Sequence, residues 1–187
     1  MLTARRLFTL IAILCAGCSP IVAAQFPDVY SPPAVKLDAT KIGLARVADS
    51  RRDESAGWLN GDITVVAGPA MADYIGRKFR SQMIEQGFAP IDSSDPAAST
   101  NSSAFKTVIV TLQSTNFGGT STFLFHPIAS TDIAVQVFAA GSRTIVFAQS
   151  YQGTHRGNGR VGTNLAAAAD GAIEQAFADQ AFLAALE

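Results

Sequence analysis

A short apolar segment that ends in a cysteine limits how much of this chain can take part in a folded domain. Arg5 and Arg6 precede an apolar run over residues 7–14, and Ala16-Gly17-Cys18 follows it. A positive start, an apolar middle and a small-residue end are the parts of a secretory signal peptide. The run is less than half the length of about 20 residues that a helix needs to cross a bilayer. It therefore predicts a cleaved signal rather than a permanent membrane span.

The cysteine directly after Ala16-Gly17 resembles a bacterial lipobox, in which Cys18 is acylated and becomes the first residue of the mature protein. The usual Leu, Val or Ile three residues before that cysteine is replaced by Cys15, and Leu14 stands one step further back. Conventional cleavage after Ala24 is an alternative, because residues 22–24 also satisfy the small-x-small rule for signal cleavage. That cut would release a soluble periplasmic protein. An uncleaved anchor is the third possibility.

Acylation would determine the location of the protein in the cell envelope. Each buried methylene contributes about 0.8 kcal/mol to membrane binding, so several acyl chains on one cysteine hold a protein almost permanently. Ser19 follows Cys18, whereas lipoproteins retained at the inner membrane of enteric bacteria typically carry Asp at that position. We therefore expect a lipid-anchored envelope protein that faces the periplasm, at the outer membrane rather than the inner one.

Composition excludes several classes of function. From Cys18 onward the chain has 12 Lys and Arg residues against 15 Asp and Glu, a formal charge of −3, which is not the footprint of a nucleic-acid-binding protein. Both cysteines lie within the first 18 residues, so the folded part has no disulfide, thiolate metal site or cysteine nucleophile. Only His126 and His155 could supply imidazole, and no acidic residue stands at ligand spacing to either. We expect no metal, no cofactor and no catalytic residues.

The region after the signal peptide is rich in proline. Pro20, Pro27, Pro32 and Pro33 oppose helix formation and favour extended backbone. They predict a tether, with the alternative that residues 35–37 pack as an edge strand. The expected organisation is a signal peptide over residues 1–17, a lipidated Pro-rich tether over residues 18–39, and a single α+β domain over residues 40–187.

Hydrophobic periodicity outlines the elements of that domain. Strands are predicted over residues 41–49, 62–66, 88–91, 106–113, 132–139 and 143–151, with helices from Pro69 to Gly87 and from Thr163 or Asn164 onward. The glycine turn at Gly141 predicts an antiparallel hairpin between the last two strands. The many alanines of the second helix predict close packing on a sheet. We expect an α+β fold in the order β-α-β-β-β-β-α, with two helices on one face of a mainly antiparallel sheet.

Several short motifs occur in the order and spacing of a known family. The first strand ends in Ala48-Asp49-Ser50-Arg51, the first helix ends in the segment from Gln82 to Phe88, and an Ala-rich helix closes the chain. In this the chain resembles the YajG-type lipoproteins of Gram-negative bacteria, from the signal cysteine almost to the C-terminus. Residues 118–130 are not matched. The resemblance implies a membrane-tethered domain of unsettled biochemical role, without known catalytic residues.

Three residues are candidates for an interaction site. Asp49 and Arg51 stand two apart on a strand and share a face, so they can form an ion pair that clamps a loop. The alternative is that Asp49 caps a turn which Arg51 steadies. Trp58, in the polar stretch over residues 50–61, is the third candidate because aromatic residues beside Arg often anchor interfaces. Its alternative is burial in the core.

These observations predict a non-enzymatic, membrane-anchored envelope lipoprotein. It would bind membrane lipid through acylated Cys18 and another envelope protein through the region of Asp49, Arg51 and Trp58. An accessory subunit of an envelope transport, secretion or cell-wall synthesis machine is the alternative, by analogy of fold.

Overall fold

The computed structural model describes residues 21–29, 35–36, 38–59, 63–93, 104–118, 127–157 and 160–187. The strands of this part are β1 (Ile21–Ala23), β2 (Thr40–Ala45), β3 (Ala48–Asp49), β4 (Ser55–Leu59), β5 (Ile63–Val66), β6 (Phe88–Ser93), β7 (Thr107–Gly118), β8 (Ile128–Phe138) and β9 (Ile145–Arg156). The helices are α1 (Gly68–Glu85), α2 (Val161–Ala178) and α3 (Gln180–Leu186).

Strand β7 organises the sheet. It has 12 residues and pairs antiparallel with β8 along its whole length, and β9 continues the sheet beyond β8. Along its other edge, β7 pairs in turn with β2, β3 and β4, all in parallel. Strand β6 extends this side beyond β2, while β5 and then β1 extend it beyond β4. On one side of β7 the sheet therefore divides into two groups of strands, β2 with β6 and β4 with β5 and β1.

The α+β class and the packing of the helices on one face of the sheet are confirmed. The sheet, however, is mixed rather than mainly antiparallel: among the strand pairs of the described residues, five are parallel and three are antiparallel. The reason lies in the connections. Helix α1 carries the chain back so that β6 runs parallel to β2, as a crossover does, and three short strands enter along one edge of β7 in the same direction.

Several boundaries differ from those expected. The strand over residues 41–49 is interrupted at Arg46 and Val47, which separates β2 from β3. The polar stretch over residues 50–61 contains β4, and β5 pairs with β4 and β1 instead of returning beside β2. Helix α2 begins at Val161, and the predicted cap Asn164 lies inside it, where its amide donates to the carbonyl oxygen of Gly157 at 3.3 Å. The short helix α3 is additional.

The core lies between the helices and the sheet. The helix predicted from Pro69 to Gly87 is present as α1, and its apolar residues at helical spacing, Met71, Ile75, Phe79 and Met83, are fully buried. The Phe79 ring lies 4.9 Å from that of Phe177 between centroids, in a tilted geometry that aromatic pairs favour. This aromatic contact joins α1 to α2.

Helix α2 lies very close to the sheet. A Cβ atom on Gly153 of β9 would stand 1.8 Å from the carbonyl oxygen of Ala168. A Cβ on Gly171 of α2 would meet the Cα of Gly153 at 3.7 Å, an ordinary contact. The prediction that the alanine-rich helix packs closely on a sheet is confirmed, and Gly153 is the residue that makes this approach sterically possible.

Residues 21–29 are packed on the domain, although they were expected to be part of the tether. Strand β1 pairs parallel with β5, and the Ala24 amide donates to the Val66 carbonyl at 2.8 Å. The Phe26 ring lies 5.6 Å from the Tyr74 ring. A Cβ on Gly162 would stand 1.8 Å from the carbonyl oxygen of Gln25. The tether prediction weighted the prolines, yet the apolar residues between them bury against the core.

Candidate functional site: a mixed-charge groove beside helix α1

A concave surface in the described part of the chain lies between α1 and the segment from β2 to β4, where it forms a groove. It consists of two adjoining cavities of about 500 and 430 Å³. They share Arg46, Val47 and Ala72 as lining residues. The cavities meet where the strand is interrupted at Arg46 and Val47, beside α1. Gly76 keeps the groove open on the helix side, since a Cβ there would reach within 3.4 Å of the Val47 side chain. We call this surface the α1 groove.

The α1 groove carries charges of both signs in balance. Its basic side chains are Arg46, Arg51, Arg52, Arg77 and Arg80, and its acidic ones are Asp49, Asp53, Glu54, Asp73 and Asp92. Arg46 and Asp73 face each other across it at 3.6 Å, both well exposed, and Arg80 pairs with Asp92. A surface of mixed sign favours a partner with complementary charges over a ligand of one charge sign.

Asp49 and Arg51 form the ion pair that their spacing predicts. The Nε and Nη2 atoms of Arg51 donate to the two carboxylate oxygens of Asp49 at 2.9 and 2.6 Å. The Arg51 backbone amide donates to the same carboxylate at 3.2 Å. These hydrogen bonds from Arg51 hold the pKa of Asp49 below its ordinary value, against the opposing effect of partial burial. The carboxylate therefore stays ionised down to unusually low pH.

The remaining donors of Arg51 connect distant parts of the domain. Nη1 donates to the hydroxyl of Thr115 on β7 at 2.9 Å, and Nη2 donates to the carbonyl oxygen of Gly68, where α1 begins, at 2.9 Å. The Arg51 side chain is only 4% exposed, against 29% for Asp49. The buried guanidinium thus ties β3, β7 and α1 together at one end of the groove. This geometry favours the interpretation in which Arg51 steadies the turn.

The structure does not bring Trp58 beside this clamp. Along β7, Asp49 is paired with Leu112 and Gly57 with Phe117. Five residues of strand separate these positions by about 16 Å. Trp58 follows Gly57 in β4 and is paired with Thr64. Its role as an interface anchor stays a prediction, now at a place separate from Asp49 and Arg51.

The other sequence candidates add no second site. Cys18 and His126 lie outside the described residues, and His155 lies on β9. Within the described ranges, no group of three or more His, Cys, Asp or Glu residues is arranged to hold a metal ion. None of the helices in this part of the chain is long and apolar enough to cross a membrane.

Two hydrogen-bonded pairs, each of a buried tyrosine and a partly exposed carboxylate, were not anticipated. The Tyr74 hydroxyl donates to Asp170 at 2.9 Å, which links α1 to α2, and Tyr151 donates to Asp179 at 2.8 Å, which links β9 to the start of α3. Burial, together with the neighbouring carboxylate, raises the pKa of Tyr74 and of Tyr151 well above the ordinary value. Both hydroxyls therefore remain protonated donors. Each pair joins residues far apart in sequence, so no local pattern signals it.

Comparisons with known proteins give structural neighbours only. No protein-family model matches the sequence, and no curated protein matches it. A Xanthomonas campestris protein of family DUF330 has a TM-score of 0.49 at 15% identity, over 89% of this chain and 92% of that one. A lipoprotein from Neisseria meningitidis has a TM-score of 0.43 at 9% identity, over 75% and 99%. PelC from Paraburkholderia phytofirmans, solved as a dodecamer, has a TM-score of 0.44 at 14% identity, over 85% and 96%. Similarity at this level assigns no family, so the resemblance to YajG-type lipoproteins stays a prediction.

Proposed function

We propose that this chain is a lipoprotein of the bacterial envelope, acylated at Cys18, whose domain has no catalytic role and binds another envelope component. The observation that carries the proposal is the apolar run after Arg5 and Arg6 that ends in Ala16-Gly17-Cys18. This arrangement combines the parts of a secretory signal with a cysteine at the acylation position.

The position of β1 supports cleavage before Cys18 over cleavage after Ala24. Cleavage after Ala24 would remove β1, whose three residues pair with Thr64, Val65 and Val66 of β5. The hydrogen bond from the Ala24 amide to the Val66 carbonyl would be lost with these pairs. Cleavage before Cys18 retains the strand. The structure of the domain and the lipobox therefore favour the same mature N-terminus.

Two cysteine variants test the anchor. We expect Cys18→Ala to incorporate no labelled palmitate and to remain as an unprocessed precursor. Cys15→Leu is the matched control, because it removes a thiol three residues away, places the usual lipobox residue there, and should still be acylated and recovered in the membrane fraction. Efficient processing of Cys18→Ala to a soluble chain that starts at Gln25 would contradict the proposal. Separation of inner and outer membranes tests the expected outer-membrane location.

For partner binding, the α1 groove is the surface that we propose. It is open, carries both charge signs, and has one end held rigid by the Arg51 clamp, and a rigid scaffold favours specific recognition. A photo-crosslinking residue at exposed Asp73 should capture a partner in intact envelopes, whereas the same residue at exposed Gln149 on β9 should not. One product of constant stoichiometry would identify an accessory subunit of a larger machine.

Filling the groove provides an independent test. Gly76→Leu places a large side chain beside Val47 and should abolish the crosslink from Asp73. Ala148→Leu, on exposed β9 outside the groove, is the control that adds the same apolar side chain. Equal crosslinking in both variants, with both proteins folded, would show that the partner does not use this groove.

A further inference from the structure

The first described residues lie at one end of a three-stranded ribbon. Ile21 of β1 is paired with Thr64 of β5, and Thr64 is paired on its other side with Trp58 of β4. In the next row toward the β4–β5 connection, Leu59 is paired with Ile63. Two neighbouring rows at one end of the sheet therefore contain four apolar or interfacial residues, Ile21, Trp58, Leu59 and Ile63. We call these two rows the ribbon end.

The acylation position is very close to the ribbon end along the chain. Three residue steps separate Cys18 from Ile21, and an extended chain covers at most about 11 Å in that length. The headgroup layer on each side of a bilayer is about 5–8 Å thick. A cysteine whose acyl chains lie in the membrane therefore holds the Cα of Ile21 within, or just outside, the headgroups.

The residues from Ile21 onward are fixed to the domain. Residues 21–24 are held by the β1–β5 pairing and by the hydrogen bond from Ala24 to Val66. The backbone of Gln25 then passes so close to Gly162 that no side chain would fit there. A domain attached in this way has only two residues between its anchor and its first strand, so it stays much closer to the membrane than a domain on a long linker.

We propose that the ribbon end rests on the membrane surface, in contact with the lipid headgroup layer. The inference depends on the proposed acylation of Cys18. Ile21 is 71% exposed and Val22 is 38% exposed, and no strand of the described part pairs with the outer edge of β1. A bilayer surface covers this apolar edge without a second protein. The chain leaves the ribbon end along β5 and reaches Pro69 of the α1 groove beyond the far end of that strand, so this part of the groove lies farther from the membrane than the ribbon end.

Trp58 provides a native probe, because it is the only tryptophan of the chain. The acylated protein, reconstituted in phosphatidylcholine vesicles, should lose Trp58 emission to lipids that carry a nitroxide high on the acyl chain, more than to lipids with the nitroxide near the chain end. The mature chain with Cys18→Ser, produced without residues 1–17 and mixed with the same vesicles, should show neither effect. Equal, negligible quenching of the acylated protein by both lipids would count against contact at this residue.

A spin label makes the test independent of the orientation of Trp58. The mature chain has no free thiol other than the proposed acylated Cys18, so Ile21→Cys and Ser150→Cys each give a single labelling position. Ser150 is exposed on β9, at the opposite edge of the sheet, five strand spacings or about 24 Å away. On vesicles, the label at position 21 should become less accessible to a water-soluble nickel relaxant and more accessible to oxygen. The label at position 150 should not change.

A linker variant tests whether the short anchor causes the contact. Twenty Gly and Ser residues inserted between Pro20 and Ile21 would give the anchor a root-mean-square reach of about 26 Å. The variant should still float with vesicles but lose the Trp58 quenching and the protection at position 21. Persistence of both effects would show that the short anchor is not responsible.

The outcomes separate the two proposals. A protein without acyl chains by mass spectrometry would overturn the proposed function and this inference together. A protein that is acylated and floats, but whose label at position 21 is as water-accessible as the label at position 150, would overturn this inference alone. The same water accessibility at position 21 is expected if another protein or a second copy covers β1 in the envelope. Vesicles that contain only this chain at low density supply no such partner.

Discussion

The close approach of α2 to the sheet makes a sharp prediction at Gly153. A methyl group at this position would lie 1.8 Å from the carbonyl oxygen of Ala168 and 2.5 Å from the amide nitrogen of Ala172. Both atoms belong to helix backbone, so they cannot rotate away as a side chain can. Gly153→Ala therefore requires α2 to move away from β9, together with the core residues that it carries.

The expected loss can be estimated from the cost of overpacking. Inserting a methyl group into a packed core typically costs about 1–3 kcal/mol. Because the colliding atoms here are backbone, we expect a value near the upper end, about 3 kcal/mol. For a domain of this size 1 kcal/mol corresponds to about 2–4 °C in Tm, so Gly153→Ala should melt about 6–12 °C below the parent protein.

Gly171→Ala is the matched control, since it adds the same methyl group on the other side of the same contact. Its Cβ would meet the Cα of Gly153 at 3.7 Å, which is an ordinary contact. Alanine in a helix interior is favoured over glycine by about 1 kcal/mol, so this variant should melt about 2–4 °C higher. Urea unfolding followed by circular dichroism, on the mature chain with Cys18→Ser produced without residues 1–17, measures both variants. A Gly153→Ala protein as stable as its parent would refute the packing described for α2 and β9.

Three further predictions concern the core, the clamp and the tyrosine pairs. Phe79→Ala should lower the free energy of unfolding by about 3–5 kcal/mol, because a fully buried ring is lost; an unchanged Tm would show that the helix faces are wrongly assigned. Arg51→Met should cost about 2–3 kcal/mol at neutral pH, since it leaves the Asp49 carboxylate without its partner. The pKa of Asp49 is lowered in the folded state, so this stabilisation is present above the unfolded-state value of about 4 and is lost as pH falls through the folded-state value. The difference in free energy of unfolding between the parent and Arg51→Met should therefore decrease in acid. A difference that is constant with pH would contradict a stabilising ion pair between Arg51 and Asp49. Tyr74→Phe and Tyr151→Phe should leave the tyrosinate absorbance gained near pH 10 unchanged, because both groups titrate above that range in the folded protein; a smaller gain in either variant would exclude its raised pKa.

The features that the sequence predicts correctly are local in the chain. The buried stripe of α1 repeats at helical spacing, so it is visible within one segment. The β8–β9 hairpin is indicated by the turn at Gly141, whose φ of 64° is one that glycine adopts freely. The pairing of Asp49 with Arg51 follows from a separation of two residues.

The features that the sequence does not predict depend on distant contacts. The partners of Arg51 on β7 and α1 are 64 and 17 residues away, and no periodicity connects them. The mixed sheet arises because three short strands share one edge of β7, which their individual patterns do not specify. Strand β1 is hidden by its proline-rich surroundings, although the prolines lie outside the three residues that pair with β5.

The α1 groove cannot be predicted from the sequence either, because it also depends on contacts between distant residues. It forms where the strand is interrupted at Arg46 and Val47, beside a helix that carries Gly76 opposite Val47. None of these residues indicates a binding surface by itself. Only the packing of α1 against the β2–β4 segment brings the charge of Arg46 beside the space at Gly76.

Whether the mature protein begins at Cys18 and carries lipid there is tested most directly by the intact mass of the protein purified from its native envelope. We expect the mass of residues 18–187 increased by that of the acyl groups on the first residue, with fragmentation placing the whole increase on Cys18. An unmodified chain that begins at Gln25, recovered from the soluble periplasmic fraction, would contradict the account.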